Sequence, residues 1–304
     1  MSFSRFFIVM LFFTVLIKGT AFAAENSYQT DIFYSKTAEE YKYKDSITKA
    51  FSWANHLEPV DTTNIVHKEA SFIRRVGFIE LGYELEDENG LYAHETGYVA
   101  YANYVHMEKE SSYWLNLIYA NAKRSSDEYY PIKTKGMTME GNASGFGIGY
   151  FLFDNMLFSY NRFEFNNLVS FPTGTGGYQS TNFDVIDSTV SAKLLYPFQG
   201  GGAFHLEMTA GTKKVIISKV PQQDNKIFAL NIDYYLNSRL GVGLTHKSVD
   251  GDKTFFIGES TGVRLSLFLT SWLYVEGAYS EFTNDDDPQN ENYELVSAKL
   301  GIRL

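Results

Sequence analysis

The sequence predicts an all-β protein, a transmembrane antiparallel up-and-down β-barrel, from three observations. Apolar and polar residues alternate with a period of two along most of the chain. After Ala23 no stretch approaches the roughly 18 consecutive apolar residues that a membrane helix needs. The final strand pattern runs to the last residue, Leu304. A membrane barrel looks polar on average because lipid-facing and lumen-facing positions alternate, so its strands escape a hydropathy scan.

The first element is an export signal. Arg5 gives a short positive start, Phe6 to Ile17 is an uncharged apolar run, and Ala21, Phe22 and Ala23 supply the small-x-small spacing that a signal peptidase accepts. Residues 1–23 are therefore expected to be cleaved, leaving 24–304 as a single outer-membrane domain. Cleavage removes Arg5 and Lys18 and no acid, which takes the formal charge from −10 to −12. An acid excess of this size argues against nucleic acid as a partner.

Composition points the same way. The chain has 22 Tyr and 25 Phe, residues that favour strands, and no Cys. An exported protein without disulfides needs another source of stability, and a closed barrel has one.

The strands follow in order. Alternation or β-rich composition marks residues 28–36, 47–57, 70–85, 91–106, 145–152, 156–166, 185–196, 272–282 and 293–304. Registers can be read directly in five more. Tyr113, Leu115, Leu117 and Tyr119 share one face; so do Phe204, Leu206 and Met208. Phe228, Leu230, Ile232, Tyr234 and Leu236 oppose Ala229, Asn231, Asp233 and Tyr235. Leu240, Val242 and Leu244 oppose Lys247, and Val263, Leu265, Leu267 and Leu269 oppose Arg264, with Phe268 as the exception. The total is about 14 strands, with 12 and 16 left open.

Connections differ in length. Tight ones at Asp154–Asn155, Asn237–Ser238 and Thr270–Ser271 suit the periplasmic side; Ala38 to Ser46, Ser125 to Ser144, Val169 to Thr181 and the acidic run Asn284 to Asn292 suit the extracellular side. In the last strand Val296, Ala298, Leu300, Ile302 and Leu304 alternate with Ser297, Lys299, Gly301 and Arg303, so its edge should pair with the first strand. The run is similar to the C-terminal signal read by the barrel assembly machinery, with Leu304 in place of the usual aromatic end.

Two stretches resemble the general bacterial porin family of proteobacterial outer membranes. One runs from a strand ending at Leu57 through Glu58, Pro59, Val60 and Asp61 into Glu69, Ala70, Ser71, Phe72, Ile73 and Arg74. The other is Gly145 to Leu157, a Gly-rich strand followed by the turn Phe153, Asp154 and Asn155. The resemblance implies a diffusion channel and carries over no catalytic residue.

The functional signal is distributed. Lys193, Glu207, Asp233, Lys247, Arg264, Lys299 and Arg303 lie opposite the lipid-compatible faces, and buried charge requires water or an ion-pair partner. A water-filled lumen satisfies it; a ladder of ion pairs in a plugged barrel is the alternative. Arg162 and Glu164 share a face and join the pore-lining candidates. Arg74 and Arg75 must point to opposite sides of a strand, and Arg74, in phase with Glu80 and Glu84, is the one assigned to the lumen. The segment Ser125 to Ser144, with Lys123, Arg124, Lys133 and Lys135, could fold inward as a constriction or stay at the surface.

Nothing in the sequence points to catalysis. His56, His67, His94, His106, His205 and His246 occur singly, with no metal-ligand spacing, so no metal or cofactor is expected. Gly174 to Gly177 and Gly200 to Gly202 lack the setting of a phosphate loop. Ser248 and His246 share a face but lack an orienting group. Tyr113, Tyr119, Tyr196, Tyr234 and Tyr279 fit an interfacial aromatic girdle. The expected function is a porin of the cell outer membrane, a passive water-filled channel for small polar solutes or ions. The rival is a non-conducting barrel with a structural or adhesin-type role, whose Asp285, Asp286 and Asp287 contact lipopolysaccharide through divalent cations, or a host surface. Partners are outer-membrane lipid and lipopolysaccharide, and both a monomer and a homo-oligomer suit the sequence.

Overall fold

A computed structural model describes residues 27–41, 44–63, 65–90, 94–126, 136–172, 177–198, 201–218, 220–251, 258–283 and 293–304. Among them run β1 (Ser27–Tyr41), β2 (Lys44–Asp61), β3 (Phe78–Gly90), β4 (His94–Met107), β5 (Tyr113–Ser126), β6 (Thr138–Phe153) and β7 (Met156–Pro172). β8 (Tyr178–Pro197), β9 (Ala203–Ile217), β10 (Gln223–Tyr235), β11 (Leu240–Gly251), β12 (Gly258–Phe268), β13 (Leu273–Thr283) and β14 (Tyr293–Arg303) complete the wall. Each strand pairs antiparallel with its sequence neighbours, and β1 pairs with β14, so the sheet closes into a 14-stranded barrel. The proposed signal residues 1–23 lie outside the described residues.

The alternation places side chains as the sequence suggests. Leu117, Ile148, Val190, Leu244, Val263 and Val296 stand exposed on the outer wall, while Ala120, Ala143, Asp233 and Arg303 on the other parity are buried inside. So much exposed apolar surface is stable only against lipid. Tyr113, Tyr196 and Tyr234 rim this belt on the side of the chain termini. Tyr119 and Tyr279 sit on the opposite rim, each on the outward face of its strand.

With an even strand count both termini lie on one side, the periplasmic one. The turns there are short, at 108–112, 154–155, 198–202, 236–239 and 269–272, with one exception at 62–77. The described residues of the 38–46 segment are strand and not loop. β1 and β2 continue as a paired hairpin to Tyr41 and Lys44, because ladder hydrogen bonds carry polar pairs such as Thr37–Thr48 beyond the lipid without an apolar face.

The expectation of a strand from residue 70 needs correction. Only Phe78 onward joins the wall; His67–Glu69 is a 3₁₀ turn and Ala70–Arg74 a short helix, α1. Ala70 and Phe72, two residues apart, are buried in two different apolar clusters, which residues on one face of a strand could not reach. Arg75 ends the helix in the left-handed region (φ 54°), with its N–H bonded to Ser71 and Phe72 carbonyls, a turn that throws the chain back toward the wall.

The seam is held from inside. The N–H groups of Gln29 and Thr30 both donate to the Leu304 carbonyl (2.8 and 2.9 Å), and the Leu304 N–H donates to Thr30 O at 2.8 Å. One step in, Arg303 Nε donates to Asp31 at 2.9 Å, with both side chains under 10% exposed. Its guanidinium stacks 4.2 Å from the Tyr28 ring and 4.5 Å from the Phe268 ring. Removing one member of a buried pair strands the other charge. Arg303→Ala should therefore destabilise the folded barrel by about 3–5 kcal/mol, read as a lower denaturant midpoint in detergent. Arg303→Lys, which keeps the charge but loses the planar stack, should fall between the two.

Candidate functional site: the periplasmic mouth

Residues 62–63 and 65–77 cross the mouth of the barrel. A five-residue helix has no stability of its own, so the wall must hold it. Val66 and Phe72 enter an apolar cluster with Val105, Met107, Phe151, Leu157, Leu195, Ala203 and Tyr235, drawn from β4 and from β6 to β10. On the other side Ala70 and Val76 pack with Tyr28 and Val60. The His67 N–H donates to Ser238 O in the β10–β11 turn, at 3.0 Å. The Arg75 guanidinium reaches the Ser111 and Phe153 carbonyls and Asp154, at 3.0 to 3.3 Å, and lies 4.3 Å from the Phe151 ring. A segment tied to strands and turns on every side lies across the bore.

Charge completes the attachment. Glu69 accepts from Lys193 Nζ at 2.9 Å and from the Tyr235 hydroxyl at 3.0 Å. His205 Nδ1 is 3.7 Å from the same carboxylate and 2.8 Å from Asp233. Arg264 donates to both Asp233 oxygens, at 2.7 and 2.5 Å. Lys68 pairs with Glu276, which also accepts from the Tyr274 hydroxyl. Arg303 Nη1 donates to His67 O at 2.6 Å, so the residue that fastens the seam also fastens this segment.

Glu69, His205 and Asp233 present ligand atoms within 4.8 Å of one another, the set a cation could use. Lys193 and Arg264 already neutralise the two carboxylates, so the group is an internal ion-pair ladder that leaves a divalent cation no net negative charge to bind.

The structure sorts the pore-lining candidates. Lys193, Glu207, Asp233, Lys247, Arg264, Lys299 and Arg303 all lie on inward parity, since cross-strand register links them to buried inner positions. Lys193, Asp233, Arg264 and Arg303 are engaged in the ladder. Glu207 lies 4.0 Å from His205 Nε2, Lys299 sits 4.0 Å from the Phe33 ring, and Lys247 is exposed on the inner face. Arg162 and Glu164 depart from expectation. They pair with each other at 2.5 Å on the outer wall, where Arg162 stands opposite the exposed Phe146. The parity of β7 decides this, because Leu157, Asn167 and Val169 are its buried inward positions. Arg74 departs too. On α1 it turns back to Asp61 and Thr63 at 2.9 to 3.1 Å, and its neighbour Arg75 reaches into the mouth.

Sequence reasoning did not find Asp31, His67, Lys68, Glu69, Tyr235 and Glu276. The one local signal was the loss of alternation over 62–77. Phe268, the odd residue in its strand pattern, is explained by this site: it faces inward against the His67 ring, 5.3 Å between centroids. Higher in the lumen Glu80, Glu84, Glu86 and Glu88 line the inner face of β3, and Arg124 contacts Glu88 and Glu95 near the extracellular end. Of the Ser125 to Ser144 segment considered as a constriction, residues 127–135 lie outside the described residues, as do Asp285, Asp286 and Asp287. His246 bonds Thr261 at 3.1 Å, and no carboxylate orients it among the described residues.

No protein-family profile matches the chain, and no curated protein matches it. Solved structures do. Outer membrane protein Omp33 of Acinetobacter baumannii aligns over 92% of this chain and 100% of its own, with 13% identity and a TM-score of 0.54. The CymD monoaromatic hydrocarbon channel aligns over 91% and 89%, with 7% identity and a TM-score of 0.54. The toluene transporter TodX of P. putida aligns over 93% and 91%, with 9% identity and a TM-score of 0.50. At these identities what is shared is the fold, that of Gram-negative outer-membrane β-barrels.

Two groups on the mouth segment make its docking pH-dependent. Burial, with the Arg303 and Arg239 guanidiniums nearby, pulls the His67 imidazole from 6.5 down to about 4. Burial alone would raise the Glu69 carboxyl, but Lys193, His205 and Lys68 outweigh it and hold it at about 2, against an ordinary 4.5. A released segment therefore takes up a proton at His67 as pH falls below 6.5, while the docked segment does not until about 4. Below 4.5 Glu69 acts in the same direction, and its contribution is lost as pH falls through about 2. Docking should thus weaken on acidification. A solvent-sensitive dye on Ser71→Cys should show rising exposure as pH falls from 6.5 to 4, and His67→Gln should delay the onset to the range set by Glu69. An unchanged signal from neutral pH to 4 would refute it.

Proposed function

We propose that the chain is an outer-membrane channel that passes small hydrophilic solutes or ions passively, and that residues 62–77 hold its periplasmic mouth shut. The observation that carries this reading is the inner wall above the mouth. Glu84, Lys247 and Lys299 face inward there with Asp187 and Lys213, which pair at 3.7 Å. A dry core does not accept such a wall, and fourteen strands enclose more room than the eight that side chains alone can fill. Neighbouring folds include a hydrocarbon channel and a toluene transporter, which supports passage as the activity of this architecture. Their cargo does not suit this lumen, because a wall of carboxylates and ammonium groups favours hydrated solutes.

A second reading is favoured by the mouth itself. Its apolar clusters and ion pairs would suit a permanently closed barrel with a structural or adhesin role. Planar-bilayer recording separates the two. Wild-type barrels should open rarely, and a variant with residues 65–75 replaced by a short Gly-Ser turn should give large, sustained conductance. Absence of both conductance and liposome swelling from the folded variant would remove the channel and leave the barrel.

A further inference from the structure

The outer wall carries a pair of like charges with no counterion among the described residues. Lys36 on β1 and Lys49 on β2 are direct cross-strand partners, and both are exposed. Each points away from the lumen. Lys36 shares its face with Tyr34, which is 47% exposed, and Lys49 shares its face with Phe51, the register partner of Tyr34. Directly opposed side chains have Cβ atoms about 5 Å apart, and like charges there are destabilising.

No carboxylate among the described residues pairs with either lysine. Asp87, the diagonal neighbour of Lys49 on β3, is taken by His94 at 2.7 Å. Glu40 and Asp45 are register partners of each other, four residues further along β1 and β2, about 13 Å away. On the strands that precede β1 around the seam the rim is acidic, with Glu281 and Glu294 opposed on β13 and β14. An unscreened cation pair is out of place unless an anion from the surroundings occupies it.

Height on the wall says which anion. Toward the periplasm the next row on the same face is Tyr34, Phe51 and Tyr83, consecutive register partners, and the Tyr83 ring stacks on Tyr98. Aromatic rows of this kind mark the depth of lipid headgroups. The two ammonium groups lie just outside it, on the extracellular side, where the outer leaflet presents phosphate groups carried on a sugar above acyl chains.

We propose that Lys36 and Lys49 form a binding site for a phosphate group of the outer-leaflet glycolipid, with its acyl chains lying over Tyr34, Phe51 and Tyr83. Two ammonium groups on adjacent strands can donate to different oxygens of one phosphate, which removes their repulsion and fastens the β1–β2 hairpin. The site is independent of the channel reading, since neither lysine faces the lumen.

The test uses the full folded barrel in detergent with four probes: bisphosphorylated lipid A, dephosphorylated lipid A, phosphatidylglycerol and inorganic phosphate. Binding is read by native mass spectrometry and by the temperature at which the compact barrel unfolds. Bisphosphorylated lipid A should bind and raise that temperature. The Lys36→Gln/Lys49→Gln variant should bind it at least tenfold more weakly, and each single variant should fall between. Lys123→Gln, which removes an outward lysine already paired with Glu140, should bind as wild type does. Dephosphorylated lipid A should bind wild type no better than bisphosphorylated lipid A binds the double variant. Equal binding by wild type and double variant would overturn the site, and so would an equal loss in Lys123→Gln. Phosphatidylglycerol binding as tightly as lipid A would overturn the glycolipid assignment, and inorganic phosphate competing at equal concentration would reduce the pair to a free-anion site.

Discussion

The pairing of β1 with β14 is the interaction on which the rest of the molecule depends. In lipid an open sheet edge leaves a row of N–H and C=O groups without partners, each at a cost of several kcal/mol. Closure removes both edges at once. Here the last residue takes part through its backbone: the Leu304 carbonyl accepts two N–H groups and its N–H finds Thr30 O. These bonds use backbone atoms alone, so they do not depend on which side chain residue 304 carries.

Closure also creates an interior, and the interior must be filled by side chains, by water or by a segment of chain. At the periplasmic end the chain supplies the filling. The same Arg303 that meets Asp31 across the seam donates to His67 O on the mouth segment. Seam and mouth thus share a residue. Around it Lys193, Glu69, His205, Asp233 and Arg264 form one continuous ladder, in which each carboxylate is matched by a cation. Such a ladder can hold a segment in place while leaving it responsive to protonation, whereas an apolar seal of the same extent would not respond.

Outside, the constraint is reversed. The wall must offer lipid an apolar belt, and charge appears where the belt ends. Arg162 and Glu164 solve this internally by pairing with each other. Lys123 does so with Glu140. Lys36 and Lys49 are opposed instead, with no carboxylate partner among the described residues, and the proposed glycolipid phosphate would be their counterion.

By itself the sequence determined the barrel: a strand count of about 14 that the structure fixes at 14, the order of neighbours, the closing role of the final strand, and the inward parity of Lys193, Glu207, Asp233, Lys247, Arg264, Lys299 and Arg303. These follow from a period of two, which is local and repeats in every strand. Arg162 and Glu164 were assigned to the wrong wall because a charged pair can sit outside when it neutralises itself, so charge alone does not identify the lumen. The mouth was decided only by tertiary structure. Glu69 meets Lys193 and Tyr235 across 124 and 166 residues of sequence, and Arg303 meets His67 across 236. No local pattern encodes such contacts. They exist because closing the sheet brings the inner faces of distant strands around one short segment whose apolar and charged side chains have nowhere else to go.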